Sequence, residues 1–558
     1  MDSVNRNTAK RTLLQNTFVV GGGLLFCAVL IAFFVPLGAA VFPAFDGGAS
    51  AVSFRPLWKA ARFTVMQAFL SAAGASGIGL CAAFFCARRR FFGRKLLLSL
   101  SAIPLSVPPV VIALAFILFF GKNGLLNKLL AAVSAGQLSI GTFLYSTGGI
   151  VLVHTFYNFP ITMRTVSAAW EQLPEETEQA ALLLGASPLR IFSTVIFPAL
   201  KAPLCASFVI IFLYCFFSFV IILLLGGLGV TTLEVELYQT IRRDIHASTA
   251  AHIALTETGI AAAAVGLYAY LRSRTPDHAE NTQYARSRLR IGGAAEHIFF
   301  AVLICVICFC LLFPLGSLVW YSLSSPKAPL TITADAWRQL LQRPHFWGAV
   351  RHTMQTGVGT AVLSVTAALF FAYAAFQSNR KWYKSLPLIP FAVSSIILGS
   401  GWLKLDTMPS LPLLVIVQSS LAWPFAWMQI ETGLAKIPRS VLDAARLLSS
   451  SRTDAFFRVF LPLCKTGIIS ALCCVFAISA GDASLPLLLH IPNFENLALM
   501  LFRFAGSYRF TESAGIAVIL AVLTGSLFYI QDTVRERGQT HQTVILTARK
   551  IKRPFNQS

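Results

Sequence analysis

The sequence predicts an all-α polytopic membrane protein of about twelve transmembrane helices, arranged as two tandem six-helix units. Three observations carry that prediction. Of the 558 residues 56% are apolar and only 12% charged, with no long polar stretch that could form a soluble domain. The apolar residues fall into runs of about 20, the length that crosses a bilayer as a helix. A loop motif of the first half returns in the second. This composition excludes an ordinary soluble enzyme, and twelve spans of that length would use roughly 240 residues, the apolar sequence available.

In chain order, helices are expected at 18–42, 64–87, 96–120, 145–163, 204–227, 249–271, 297–323, 354–376, 385–403, 411–431, 466–490 and 513–531. The first run exceeds the apolar core of a signal peptide and lacks a small-residue cleavage site, so it is expected to stay as an anchor. The third contains Pro104, Pro108 and Pro109, matched by Pro390 in the ninth, which points to kinks or an interrupted helix. The fourth carries His154 and Asn158 before Pro160; the histidine could titrate, but helix-to-helix hydrogen bonding is the preferred reading. Among the predicted spans, acids occur only as Glu257 in the sixth, Glu431 at the inner end of the tenth and Asp482 in the middle of the eleventh.

The net charge of +22 could suggest nucleic acid, but all 45 lysines and arginines lie between the predicted spans. About two thirds of them fall in loops on one side, which by the positive-inside bias makes both termini cytoplasmic. The charge therefore reports topology, and no nucleic-acid partner is expected. Ten of the eleven cysteines lie in predicted spans and Cys464 at the edge of one. The Cys305 and Cys308 spacing lacks a second pair, so packing is preferred over a metal site.

The repeat defines the domains. Glu178, Gln179, Ala180 and Ala181, then Gly185 and later Pro198, are answered by Asp443, Ala444 and Ala445, then Ser449 and later Pro462. Ala180 and Ala444 are 264 positions apart, as are Pro160 and Pro424. Upstream, Arg94-Lys95 and Arg380-Lys381 are 286 apart. The reading is a first unit over 1–271, a cytoplasmic linker over 272–296, a second unit over 297–531 and a cytoplasmic basic tail over 532–558. Each motif, within 171–203 and 435–465, reads as a short helix, a turn and a second helix. Its alanines permit close approach, and its acid could offer a carboxylate to a basic partner.

The pattern of acid, Ala-Ala, a Gly or Ser and a downstream proline resembles the cytoplasmic coupling loop of type I ABC importer permeases, here as two fused permease domains. Gln179 stands where the first copy would have its acid, with Glu178 adjacent, and Ser449 replaces the glycine of the second. Shorter stretches, among them His154 to Pro160, Thr231 to Tyr238, Gly481-Asp482 and Gly506 to Arg509, are similar to thiamine importer permeases. Ferric-iron importer permeases share the architecture and are the alternative. The resemblance implies location in a bacterial cytoplasmic (inner) membrane, two copies of a separate ABC ATPase and an extracytoplasmic substrate-binding protein. It also implies that helices five and eleven help line the pathway.

Intramembrane ionisable groups are expensive enough to suggest function. Asp482, with Ser218 at the equivalent position of the first half, could face the pathway and favour a cation such as thiamine. A carboxylate pinned at a helix interface is the competing reading. Asn158 joins the pathway candidates, as does Glu257, for which a structural or snorkelling role is preferred. No G-x-x-x-x-G-K-[ST] phosphate loop occurs, so the chain is read as a transport subunit without catalytic residues or bound cofactor, ATP and Mg being used by the partner. A twelve-helix secondary transporter is the runner-up, and a membrane-embedded enzyme is third.

Overall fold

In the computed structural model residues 2–45, 54–101, 103–135, 137–227, 231–243, 247–274, 289–324, 331–378, 385–434 and 455–552 are described. The first half comprises α1 (Asp2–Val41), α2 (Phe54–Arg88), α3 (Arg94–Leu100), α4 (Ile103–Ser106), α5 (Pro109–Phe120), α6 (Leu125–Val133) and α7 (Thr147–Glu171). It continues through α8 (Glu175–Leu183), α9 (Pro188–Ile191), α10 (Phe197–Phe216), α11 (Val220–Leu225), α12 (Leu233–Arg242) and α13 (Ala247–Arg274). The second half holds α14 (Ala294–Ser322), α15 (Asp335–Leu341), α16 (Pro344–Ser378), α17 (Ser395–Lys404) and α18 (Leu411–Leu434). It ends with α19 (Lys465–Ala480), α20 (Ser484–Leu489), α21 (Leu497–Gly506) and α22 (Phe510–Lys552). Two short strands, β1 (Arg89–Arg90) and β2 (Leu289–Arg290), pair in parallel.

Among the described residues nine helices are long and apolar enough to cross a bilayer, and two sharply bent pairs bring the number to eleven. The twelfth expected position is α7. Its 25 residues reach about 37 Å, enough to span, but His154, Asn158 and Arg164 dilute its hydropathy. Arg164 corrects the expectation that no basic residue enters a span. The helix runs on to Glu171, and the guanidinium donates to Leu98 O at 2.7 Å and Ser101 Oγ at 3.3 Å.

Four other expected helices are broken. The third divides into α3, α4 and α5, and its apolar stretch continues to Val133. The ninth bends by 83° between the 3-10 turn Leu386–Ala392 and α17. Prolines explain both, because each removes a backbone donor and restricts the residue before it. The fifth stops at Phe216 and resumes as α11; the eleventh stops at Ala480 and resumes as α20. These last breaks fall on Ser218 and Asp482. The basic tail expected from 532 onward is instead continuous with the final span, as α22 runs to Lys552.

The repeat seen in the sequence is exact in the elements: α11 and α20, α12 and α21, and the π-helical turns Phe192–Ile196 and Phe456–Phe460 each lie 264 positions apart. The halves share their first helices. α1 packs chiefly on α16, α17 and α18 of the second half, while α14 packs both on α5 of the first half and on α22 of its own. Gly401 makes the α1 contact possible, since a Cβ there would lie 1.8 Å from Pro36 O on α1. Within the first half α2 and α7 also meet closely, though less so, at Gly79, where a Cβ would lie 2.7 Å from Phe159 O. Small residues at such crossings replace the hydrophobic drive that lipid cannot supply.

Candidate coupling loop and polar seam

The first loop has the expected helix, turn and helix. Glu175, Glu176 and Glu178 occupy the first turn of α8, where carboxylates suit the positive end of the helix dipole. Gly185 turns the chain at φ +78°, a left-handed conformation that glycine adopts without strain. The Ser187 Oγ then accepts from Arg190 N at 3.4 Å to start α9, and Pro198 sits in the first turn of α10.

Charge fixes this loop to the bundle. Glu178 is only 7% exposed and forms an ion pair with Arg88 at the end of α2. Arg94 reaches Glu171 at 2.6 Å while its Nε donates to Cys86 O at 2.7 Å. The expectation of an acid offered outward is therefore corrected for Glu178. Its carboxylate is spent inside the chain, because the helical turn that carries it faces Arg88. Gln179 and Ala180 are exposed, and Ala181 packs towards the cluster around Trp170. Beside exposed polar groups such as Gln179 and Arg190, the loop presents large apolar side chains outward: Leu183 and Leu184 are each 88% exposed and Leu189 77%. In the second loop Asp443, Ala444, Ala445 and Ser449 lie outside the described residues. Pro462 follows the turn Phe456–Phe460 as Pro198 follows Phe192–Ile196.

Deeper in the bundle a polar seam is built twice from equivalent positions. In the first half His154 Nε2 meets Ser218 Oγ at 2.9 Å; in the second Gln418 Nε2 donates to Asp482 Oδ2, also at 2.9 Å. Asn158, buried, donates to His154 O at 2.9 Å and to Cys215 Sγ at 3.5 Å. Gln418 Oε1 accepts from Ser479 Oγ at 2.6 Å and Thr360 Oγ1 at 3.1 Å. Thr64 Oγ1 and Thr353 Oγ1 each accept at 2.9 Å from the first backbone N–H of α12 and of α21. The offset between the halves thus preserves hydrogen bonds as well as elements.

The second half shows why the helices break here. Asp482 Oδ1 accepts from Ser484 N at 2.9 Å and Leu485 N at 3.4 Å, capping α20. A side chain that satisfies the amides of the following segment competes with continuation of the helix before it. Asn496 Nδ2 donates to Asp482 O at 2.9 Å, which ties α21 to the same point. These hydrogen bonds pin the Asp482 carboxylate, while the residue stays partly exposed.

Glu257 is completely buried on α13, which corrects snorkelling as its role. Its carboxyl lies beside that of Glu234 on α12, and both Glu257 oxygens and Glu234 Oε2 are buried without a hydrogen-bond partner among the described residues, while α12 also packs against α17 of the second half. Glu234 was not a candidate from sequence, where it falls in an outer loop; burial at 1% and the packing of α12 against α17 of the second half make it one. Its equivalent is Ala498, and that of Glu257 is Ala521, so the acid pair belongs to the first half alone. The inner-end acid Glu431 pairs with Arg272 of the first half at 3.3 Å. Among the described residues no three metal-ligating side chains converge.

Two fused helical halves, each with a loop motif leading into a broken span, define a class of protein: the membrane-embedded permease of an ABC importer. The chain belongs to the family of binding-protein-dependent transport system inner membrane components, whose family model matches it twice, at residues 75–316 and 364–536. The chain is 29% identical to the thiamine transport system permease protein ThiP of Brucella abortus (strain 2308), over 94% of this chain and 97% of that one. It is 27% identical to ThiP of Salmonella typhimurium, over 93% and 97%, and 27% identical to ThiP of Escherichia coli, over 86% and 90%. The double match bears out the tandem permease organisation read from the loop repeat.

Proposed function

We propose that the chain carries thiamine across the inner membrane, receiving it from an extracytoplasmic binding protein and driven by two copies of a separate ATPase that use ATP and Mg. The observation that carries this reading is similarity to thiamine permeases over nearly the whole length of both chains. The distribution of arginine and lysine supports a cytoplasmic location for both termini and for the face bearing residues 88–95 and 171–200. There the leucines of the α8 loop offer an apolar surface, while the Arg88–Glu178 pair keeps the helix rigidly joined to α2. Movement of a docked ATPase would pass into the bundle along that joint.

The transport cycle is alternating access, with the two halves rocking about the seam. The packing of α12 against α17, and Arg272 against Glu431, are contacts between halves that such rocking would change. Asp482, Ser218, Asn158 and Glu257 act in this reading by holding broken helices and half-to-half contacts in register, with thiamine passing beside them. Uptake of labelled thiamine into proteoliposomes containing the chain, the ATPase and the binding protein tests it. ATP-dependent accumulation is expected; accumulation of ferric iron and not thiamine, or uptake without the ATPase, would overturn it.

A further inference from the structure

The end of α2 and the approach to α14 meet in the β1–β2 ladder, whose register sets Arg90 beside Arg290. Strands pair about 4.8 Å apart, and residues in register project to the same side, so two guanidinium groups from the two halves stand together. Like charges so placed repel each other. The other arginines of this corner are neutralised: Arg88 by Glu178, Arg94 by Glu171 and Arg89 by Glu296. Arg90 and Arg290 are exposed, and neither has an acidic partner among the described residues.

The surroundings indicate what would balance them. The Phe92 side chain is fully exposed beside them, and Leu289 is 57% exposed. Just beyond, Leu96 at 61% and Ile298 at 64% begin the apolar outer surface of α3 and α14 that faces the bilayer. The arginine pair therefore sits where acyl chains give way to headgroups. The Phe91 ring lies 4.7 Å from that of Phe300 and the Phe85 ring 4.8 Å from it, both tilted, fixing the ladder to the helices beneath.

We propose that Arg90 and Arg290 together clamp the phosphate of one anionic phospholipid headgroup, with Phe92 and Leu289 at its acyl boundary, so that the lipid bridges the two halves. The planar guanidinium fork matches phosphate oxygens in pairs. A soluble anion would gain nothing from an exposed phenylalanine, whereas a lipid gives that ring an apolar neighbour. The proposal rests on the membrane reading and is independent of which solute is carried.

The test uses the full chain in nanodiscs with equal phosphatidylglycerol and phosphatidylcholine, extracted gently and read by native mass spectrometry. Roughly 25-fold preferential retention of phosphatidylglycerol is expected, each of the two arginines near an anionic surface being worth about fivefold. The variant R90Q/R290Q should lose the preference and R242Q/R243Q, at the opposite face, should keep it. No preference in the wild-type chain, or the same preference in R90Q/R290Q, overturns the proposal. If R90Q/R290Q does not fold, R90K/R290K replaces it, and a preference as strong as that of the wild type overturns the forked clamp. Inorganic phosphate stabilising the delipidated chain as much as phosphatidylglycerol does would show a free-anion site instead. Loss of ATPase association in R90Q/R290Q with unchanged lipid retention would assign the patch to protein contact. Thiamine uptake assayed in parallel separates failure of this proposal from failure of the transport reading.

Discussion

Asp482 accepts from Gln418 Nε2, Ser484 N and Leu485 N, and its backbone carbonyl accepts from Asn496. Asp482→Ala removes the acceptor for three donors at once. At about 1 kcal/mol or more for each donor left unpaired, the variant should melt well below the wild type in detergent. Asp482→Asn keeps an acceptor for the amides and should lose about half as much. If thiamine uptake fell in both variants with stability unchanged, Asp482 would have to touch the substrate. At the acid pair, Glu257→Gln places an amide donor opposite Glu234 and should be tolerated. Glu257→Leu removes a buried carboxyl that has no hydrogen-bond partner among the described residues and should leave the melting temperature unchanged or raise it, measured in detergent.

At the scale of the element, the α8 loop separates attachment from presentation. Arg88 and Arg94 hold it from inside, and Leu183, Leu184 and Leu189 face outward. Leu183→Asp with Leu184→Asp should leave the fold and melting temperature unchanged, because both side chains are almost fully exposed. The same pair of substitutions should abolish co-purification of the ATPase. Arg88→Ala should act differently: ATPase association persists, while coupling of ATP hydrolysis to uptake falls, since the loop loses its ionic joint to α2. Comparing the ATPase rate with the transport rate in the two variants distinguishes docking from transmission. At the bends the same division applies, with prolines and polar caps setting where a span breaks and packing against the other half setting the angle.

For the whole molecule, the sharing of first helices is the feature with the most consequence. α1 completes the second half and α14 packs on both, so neither half is self-contained. Residues 1–274 and 289–558 produced as separate chains should be degraded when expressed singly and should recover as a stable complex when expressed together. Gly401→Leu should destroy that association, because Pro36 O already occupies the space a side chain needs. Size-exclusion chromatography of the co-expressed pair would show it.

The fold class, the tandem halves and the helix–turn–helix shape of the first loop were legible in the sequence, because these depend on periodicity, charge placement and a repeated local motif. Prolines in the third and ninth runs disclosed the broken helices there. The breaks at Ser218 and Asp482 were hidden, since an apolar run carries no sign that one side chain will cap the next segment. Glu178 could be identified as part of the loop but not as an ion-paired anchor, for Arg88 lies 90 residues earlier. Glu234 was hidden entirely. Its neighbour Glu257 comes from another helix, and α17, against which α12 packs, from the other half; only the tertiary structure decides which distant groups share a buried site.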